Sequence, residues 1–282
     1  MAGILSGLSG LGLDNLENME LYEEAKEEKA EVQNGTVIKV QEKDLILDKT
    51  FTCPVCGETF SSKIMKTGKA KLLRTDSDLR PVYEGIDAVK YDVQLCTNCG
   101  YAALSRFFPS ITGVQAKLVR ENISSRVRLH PFDGDTYTYE EALERYKLAL
   151  ANAVIKKAKA GEKAYICLKS AWLLRGYVEY LEEDGDKITD LRSLKEQEEE
   201  YLLNAYNGFL EARQTENMPI CGMDQMTVDC LVAELAYHLK KYDVAGQLVA
   251  SILTSPVANS RMKDKARDLK ERILSDIKNR TS

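Results

Sequence analysis

Apolar and polar residues alternate on a short period in the first part of the chain and on a long period after about residue 110. Val89–Leu95 (VKYDVQL) sets apolar and polar side chains in turn, the two-residue period of a strand. Thr59–Lys66 and Lys71–Thr75 mix β-branched with polar residues, and Thr36–Val40 and Asp44–Leu47 supply a further hairpin. Together they predict one small antiparallel sheet. Beyond Ser110 the repeat becomes helical. Thr138-Tyr139-Glu140-Glu141 reads as a capping box, and Leu143, Tyr146, Leu150 and Val154 follow at three- and four-residue spacing. Further helices are expected at Glu162–Glu183, Leu191–Arg213, Asp224–Lys240, Asp243–Leu253 and Ser260–Lys278, punctuated by Gly161, Gly185, Gly222 and Pro256. Short links between them imply antiparallel helical hairpins.

Four of the seven cysteines change this picture. Cys53-Pro54-Val55-Cys56-Gly57 and Cys96-Thr97-Asn98-Cys99-Gly100 are two C-x-x-C-G knuckles. Two intervening residues let the chain turn so that both sulfurs of a pair face one ion at about 2.3 Å. Gly57 and Gly100 stand where the backbone needs positive φ, and their amides are placed to donate to a thiolate. Two pairs complete a tetrahedral set with no position left for water or substrate, as in a structural zinc site. Iron is the rival metal for four thiolates. The expected cofactor is one structural zinc ion on Cys53, Cys56, Cys96 and Cys99, pinning the end of the sheet. Cys167 and Cys230 lie in apolar runs and read as small core residues, while Cys221 falls in a loop after Pro219. His238 stands about two helical turns from Cys230, too far to share a metal, and His130 precedes Pro131 in a turn-like stretch.

Between the knuckles, Lys63, Lys66, Lys69, Lys71 and Arg74 form a basic run. It reads either as a nucleic-acid-binding face or as lysines that blunt an exposed strand edge; Asp76 and Asp78 follow at once, and no interleaved aromatics offer a stacking platform. Within the helical part, Val232, Ala233 and Ala236, then Tyr242, Ala245, Val249, Ile252 and Pro256, have the small-residue spacing of a tetratricopeptide unit. Such units stack into curved surfaces that bind peptides or proteins, while a plain bundle carries no groove. Trp172 and Arg175 lie three apart on one helix side. Trp172 is expected to anchor packing with a partner for its indole N–H, and Arg175 to pair with an acidic residue of the neighbouring helix.

CPVCG with Phe60 behind it, LLRTDSDLRPVYEGI, YDVQLCTNCGYA, RYKLAL and SAWLLR occur here in an order that resembles the bacterial domain of unknown function 2225 family, over about residues 45–255. The resemblance implies a two-knuckle zinc ribbon joined to tetratricopeptide-like helices, with all four knuckle cysteines matching. It implies no particular reaction.

The expected fold class is therefore α+β, mostly α: a small antiparallel zinc-ribbon domain followed by a tetratricopeptide-like helical domain. The division is an N-terminal tail or amphipathic helix at 1–34, the ribbon at 35–109 and the helices at 110–282. Residues 1–34 carry Ile4, Leu5, Leu8, Leu11 and Leu13 among glycines, then an acidic run. They form either a frayed tail or a helix ordered by a partner or by self-association.

At 282 residues, 44% hydrophobic and 29% charged, the composition is that of a globular chain of about two domains. A net charge of -5 argues against bulk attraction to nucleic acid or anionic membrane. No apolar run reaches the roughly 18 residues of a membrane span, and the start lacks the basic flank of a secretory signal. A cytoplasmic location is expected, where paired cysteines serve as metal ligands more often than as disulfides. No phosphate-binding glycine loop, nucleophile elbow or apolar carboxylate pair is visible. The leading expectation is a non-enzymatic scaffold that docks a protein partner. The alternatives are a nucleic-acid-binding regulator and a hydrolase or transferase with its site between ribbon and helices.

Overall fold

The computed structural model describes residues 41–129, 132–185 and 190–281. The 1–34 segment, the Thr36–Val40 strand and His130 lie outside the described residues.

The fold class is α+β and mostly helical, with the strands first. Among the described residues six strands pair as three separate antiparallel hairpins. These are β1 (Ile46–Thr52) with β2 (Thr59–Met65), β3 (Leu72–Thr75) with β4 (Pro81–Tyr83), and β5 (Val93–Leu95) with β6 (Ala102–Leu104). The single sheet expected from the alternation is thus three ribbons. The reason is burial: Val93, Leu95, Ala102 and Leu104 enter one continuous core with the helices instead of covering a neighbouring strand.

Two strand expectations need correction. Ala88–Tyr91 is a 3-10 turn, and only Val93–Leu95 of that stretch is extended. The Asp87 carboxylate caps the turn by accepting from the Val89 amide at 3.0 Å, a local bond that competes with strand pairing. Glu42–Leu45 is likewise 3-10, so β1 begins at Ile46 and pairs forward with β2.

Seven α-helices follow among the described residues: α1 (Gly113–Val119), α2 (Tyr139–Ile155), α3 (Ala160–Asp184), α4 (Leu191–Thr215), α5 (Gln225–His238), α6 (Tyr242–Thr254) and α7 (Ser260–Thr281). The sequence period does not announce α1, which is short and sealed by a reciprocal capping box between Thr112 and Gln115. Thr138 caps α2, Asp190 caps α4 and Asp224 caps α5, each through its side-chain oxygen.

Cross-helix pairs fix the packing direction. Tyr177 on α3 meets Glu140 at the start of α2, and Lys156 just past the end of α2 meets Glu162 at 2.7 Å, so the two helices run antiparallel. Ala164 faces Gly208, and Arg175 binds Glu198 at 2.8 Å, which sets α3 antiparallel to α4. A Cβ on Gly208 would lie 2.9 Å from that of Ala164, so only glycine lets these helices approach so closely.

The loop between β3 and β4 is bound to the helices by charge. Asp78 is fully buried, accepts from the Trp172 indole N–H at 3.1 Å and from Arg175 at 2.9 Å. Arg175 also reaches Glu198 on α4, as the sequence led one to expect. Arg80, nearly inaccessible, pairs with Glu179 and lies 3.6 Å from Asp76. Burial opposes the Arg175 charge, but Asp78 and Glu198 outweigh it and push its pKa up. Leu79 adopts a positive φ of 75° and packs against the helical core.

Truncating Arg175→Ala leaves Asp78 buried without its cation and is expected to lower stability by about 3–5 kcal/mol. Arg192→Ala, which breaks an exposed pair with Glu196, is expected to cost about 0.5 kcal/mol or less. Urea unfolding of the two variants checks the contrast; equal losses would refute the buried-network account.

Candidate metal centre

Each C-x-x-C-G knuckle is the turn of a hairpin. Residues 53–58 connect β1 to β2, and residues 96–101 connect β5 to β6. Both turns close with the same two backbone bonds. The Cys53 amide donates to Glu58 O and the Gly57 amide to Cys53 O, each at 2.9 Å; Cys96 to Tyr101 O and Gly100 to Cys96 O repeat the pattern at 2.9 Å. Gly57 and Gly100 hold φ of 82° and 73°, the left-handed conformation that this turn requires. At Gly100 a side chain is excluded twice over, because a Cβ would come within 2.6 Å of Val127.

The glycine amides therefore bond carbonyl oxygens, contrary to the role expected of them. The thiolate donors are their neighbours. Val55 N lies 3.4 Å from Cys53 Sγ, and the amides of Asn98 and Cys99 lower the Cys96 pKa.

The two hairpin turns face each other, and all four sulfurs lie within 4.8 Å of one another. Cys53 Sγ is 3.6 Å from Cys99 Sγ, and Cys56 Sγ is 3.7 Å from Cys96 Sγ. A tetrahedron with metal–sulfur bonds of about 2.3 Å has edges of about 3.8 Å, so the set fits one ion. Cys53, Cys96 and Cys99 are buried and Cys56 is partly so.

Proton sharing shows the electrostatic problem that such a cluster poses. The Cys96 thiol is lowered to about 2, chiefly through hydrogen bonds from Cys53 and then Cys99. The Cys53 thiol is raised to about 11, chiefly because it donates to Cys96. Cys99 is pushed higher still, first by its hydrogen bond with Cys53 and then by that with Cys96. These shifts favour a charged Cys96 beside protonated Cys53 and Cys99; a dication removes the need for those protons.

Helices hold both turns in place. Arg120, just past α1, donates to Val55 O at 2.8 Å, and the fully buried Asn152 of α2 donates to Gly100 O at 3.0 Å. Phe60, Tyr101 and Phe108 cover the sulfurs together with Ala116 and Val119, and Tyr101 OH donates to Phe108 O at 3.1 Å. Lys156, buried and paired with Glu162, lies 5.9 Å from the centre of the Tyr101 ring. Asn152, Arg120 and Lys156 carry no linear motif. For Asn152 and Lys156 the only sequence signal is a polar residue beside the apolar positions of α2; exposed Arg120 has none.

The basic run divides between two hairpins. Lys63 binds Asp48 across β1 and β2 at 3.1 Å, Lys66 donates to Asp44 O at 2.9 Å, and Arg74 binds Asp76 at 3.1 Å. Lys69 and Lys71 are exposed at the turn before β3. Of the other cysteines, Cys221 donates to Gly161 O at 3.1 Å, and burial raises the Cys167 thiol to about 11 and the Cys221 thiol to about 12, which makes both poor nucleophiles.

The fold and site define a mostly helical α+β protein in which two hairpin turns assemble a four-cysteine cluster compatible with one metal ion. The chain belongs to the family described as "Uncharacterized protein conserved in bacteria (DUF2225)", whose family model matches residues 46–273. No curated protein and no solved structure matches the chain. No helix among the described residues is long and apolar enough to cross a membrane.

The purified protein is expected to carry one metal ion per chain, and Cys96→Ser to lose it. Because metal binding is part of the folding free energy, about 10–16 kcal/mol in small zinc-finger peptides, loss should melt the β1–β2 and β5–β6 hairpins. Elemental analysis with amide exchange checks this; a metal-free wild-type chain with protected hairpins would contradict it.

Proposed function

We propose that this protein is a non-enzymatic, zinc-stabilised scaffold of the bacterial cytoplasm that docks a partner protein through its tetratricopeptide-like helices. Zinc is favoured by four thiolate donors at tetrahedral separations, with no oxygen or nitrogen ligand beside them among the described residues. A closed donor set leaves no coordination site for water or substrate, so the metal's part is architectural. The two knuckle hairpins then act as a ribbon that braces α1 and α2.

The observation that carries the reading is where the open surface lies. A groove of about 520 Å³ runs over α3 between α2 and α4, and none of the four clustered cysteines lines it. Two of the helices that build it, α3 and α4, are antiparallel and close-packed through Ala164 and Gly208, as in stacked helical repeats. The nucleic-acid reading has less support, because three of its five cations already face a carboxylate or carbonyl oxygen.

Affinity capture from the native bacterium, with cross-linking and mass spectrometry, tests the proposal. The expected result is a reproducible protein partner cross-linked to α2–α7. Recovery of no such partner, or cross-links confined to residues 63–74 together with bound nucleic acid, would sink it.

A further inference from the structure

We propose that the groove over α3 takes an extended, basic peptide segment. Glu200 and Glu211 receive two of its cationic side chains, and Asn204 and Asn207 hold the backbone between them. The inference rests on the scaffold reading and gives its docking site an address and a chemistry.

Helix α4 has two faces of opposite character. Leu202, Ala205, Tyr206, Phe209 and Ala212 are buried. Glu200, Asn204, Asn207 and Glu211 recur every three or four residues along another stripe, and all four line the groove. All four are exposed, so they are free to meet a ligand. Neither carboxylate forms an ion pair among the described residues, and Lys163 of α3 is the one cation among the described residues that line the groove. The groove is therefore net negative, and its complement is cationic.

Spacing selects the conformation of the occupant. Glu200 and Glu211 are eleven residues apart on one helix, about 16 Å at about 1.5 Å per residue. An extended chain covers that distance in about five residues at about 3.3 Å each. Its backbone also presents free N–H and C=O groups, which a helical occupant does not. Side-chain amides match both kinds of group, since each offers donors and an acceptor. Asn204 uses one donor on Glu200 O at 2.9 Å and keeps its carbonyl oxygen, while Asn207 makes no hydrogen bond among the described residues.

The floor suits a backbone more than a bulky side chain, because Ala160, Ala164 and Gly208 line it where α3 and α4 close on each other. On the α2 wall Val154 stays 57% exposed, which offers an apolar side chain between the two basic ones a place to rest.

The test is selection of the fluorescently labelled full chain on a bead-bound library of octapeptides blocked at both ends. Selected beads are expected to carry Lys or Arg at two positions about four or six apart, since alternate residues of an extended chain share a face. Asn204→Ala with Asn207→Ala should weaken binding of those peptides about tenfold to a hundredfold, at about 1 kcal/mol per hydrogen bond. Glu200→Lys with Glu211→Lys should turn the selection towards acidic peptides. Circular dichroism and urea unfolding confirm that each variant folds. No enrichment, enrichment of acidic or purely apolar peptides, or a basic preference that survives the charge reversal would each overturn the inference. A native partner still captured at full yield by the charge-reversed chain would remove the groove as its site and leave the scaffold reading standing. Failure of wild-type capture would remove that reading itself.

Discussion

Sulfurs placed 3.6–3.7 Å apart in a largely buried cluster cannot all carry charge unless a cation sits among them. Mutual hydrogen bonds acidify the Cys96 thiol and push the Cys53 and Cys99 thiols up. That constraint organises the rest. Because each knuckle is the turn of its own hairpin, bringing the sulfurs together also brings β1–β2 against β5–β6 across more than forty residues of chain. The aromatic cover of Phe60, Tyr101 and Phe108 then has a fixed surface to pack on.

Coupling to the helices runs through a few polar contacts. Asn152 reaches from α2 to the backbone of the second knuckle, and Arg120 reaches from the end of α1 to the first. A second tie is electrostatic: the loop carrying Asp76, Asp78 and Arg80 is held on α3 and α4 by Trp172, Arg175, Glu179 and Glu198. Buried ion pairs of this kind add little net stability over an apolar core, but they admit one arrangement of partners and so specify register. The sequence segments LLRTDSDLRPVYEGI and SAWLLR, nearly a hundred residues apart, are in fact the two halves of this contact.

These two ties divide the molecule's surfaces by role. The knuckle side is closed over its sulfurs, and the loop covers part of α3 and α4. What stays open on the described helices includes the groove between α2 and α4, lined on its α4 side by Glu200, Asn204, Asn207 and Glu211. A groove formed between packed helices favours recognition to the extent that it is preformed, since less ordering entropy is then lost when a ligand docks.

Linear spacing sufficed to pick out the four cysteines that come together, because two C-x-x-C-G turns dictate their local geometry whatever surrounds them. It also sufficed for α2 to α7, whose periodicity and caps act within a few residues: α4 and α7 begin where expected, and Asp224 caps α5. It failed where local and distant demands compete. Val89–Leu95 alternates like a strand, yet Asp87 captures the Val89 amide and turns half of it into a 3-10 helix. One sheet was legible where three hairpins form, because strand partners are chosen by burial against helices and not by alternation. The distant partners of Asn152 and Lys156, and Asp78 as the partner of Trp172 and Arg175, were not legible: each contact joins residues between about fifty and a hundred positions apart, and only packing brings such groups within hydrogen-bonding reach or into ring contact.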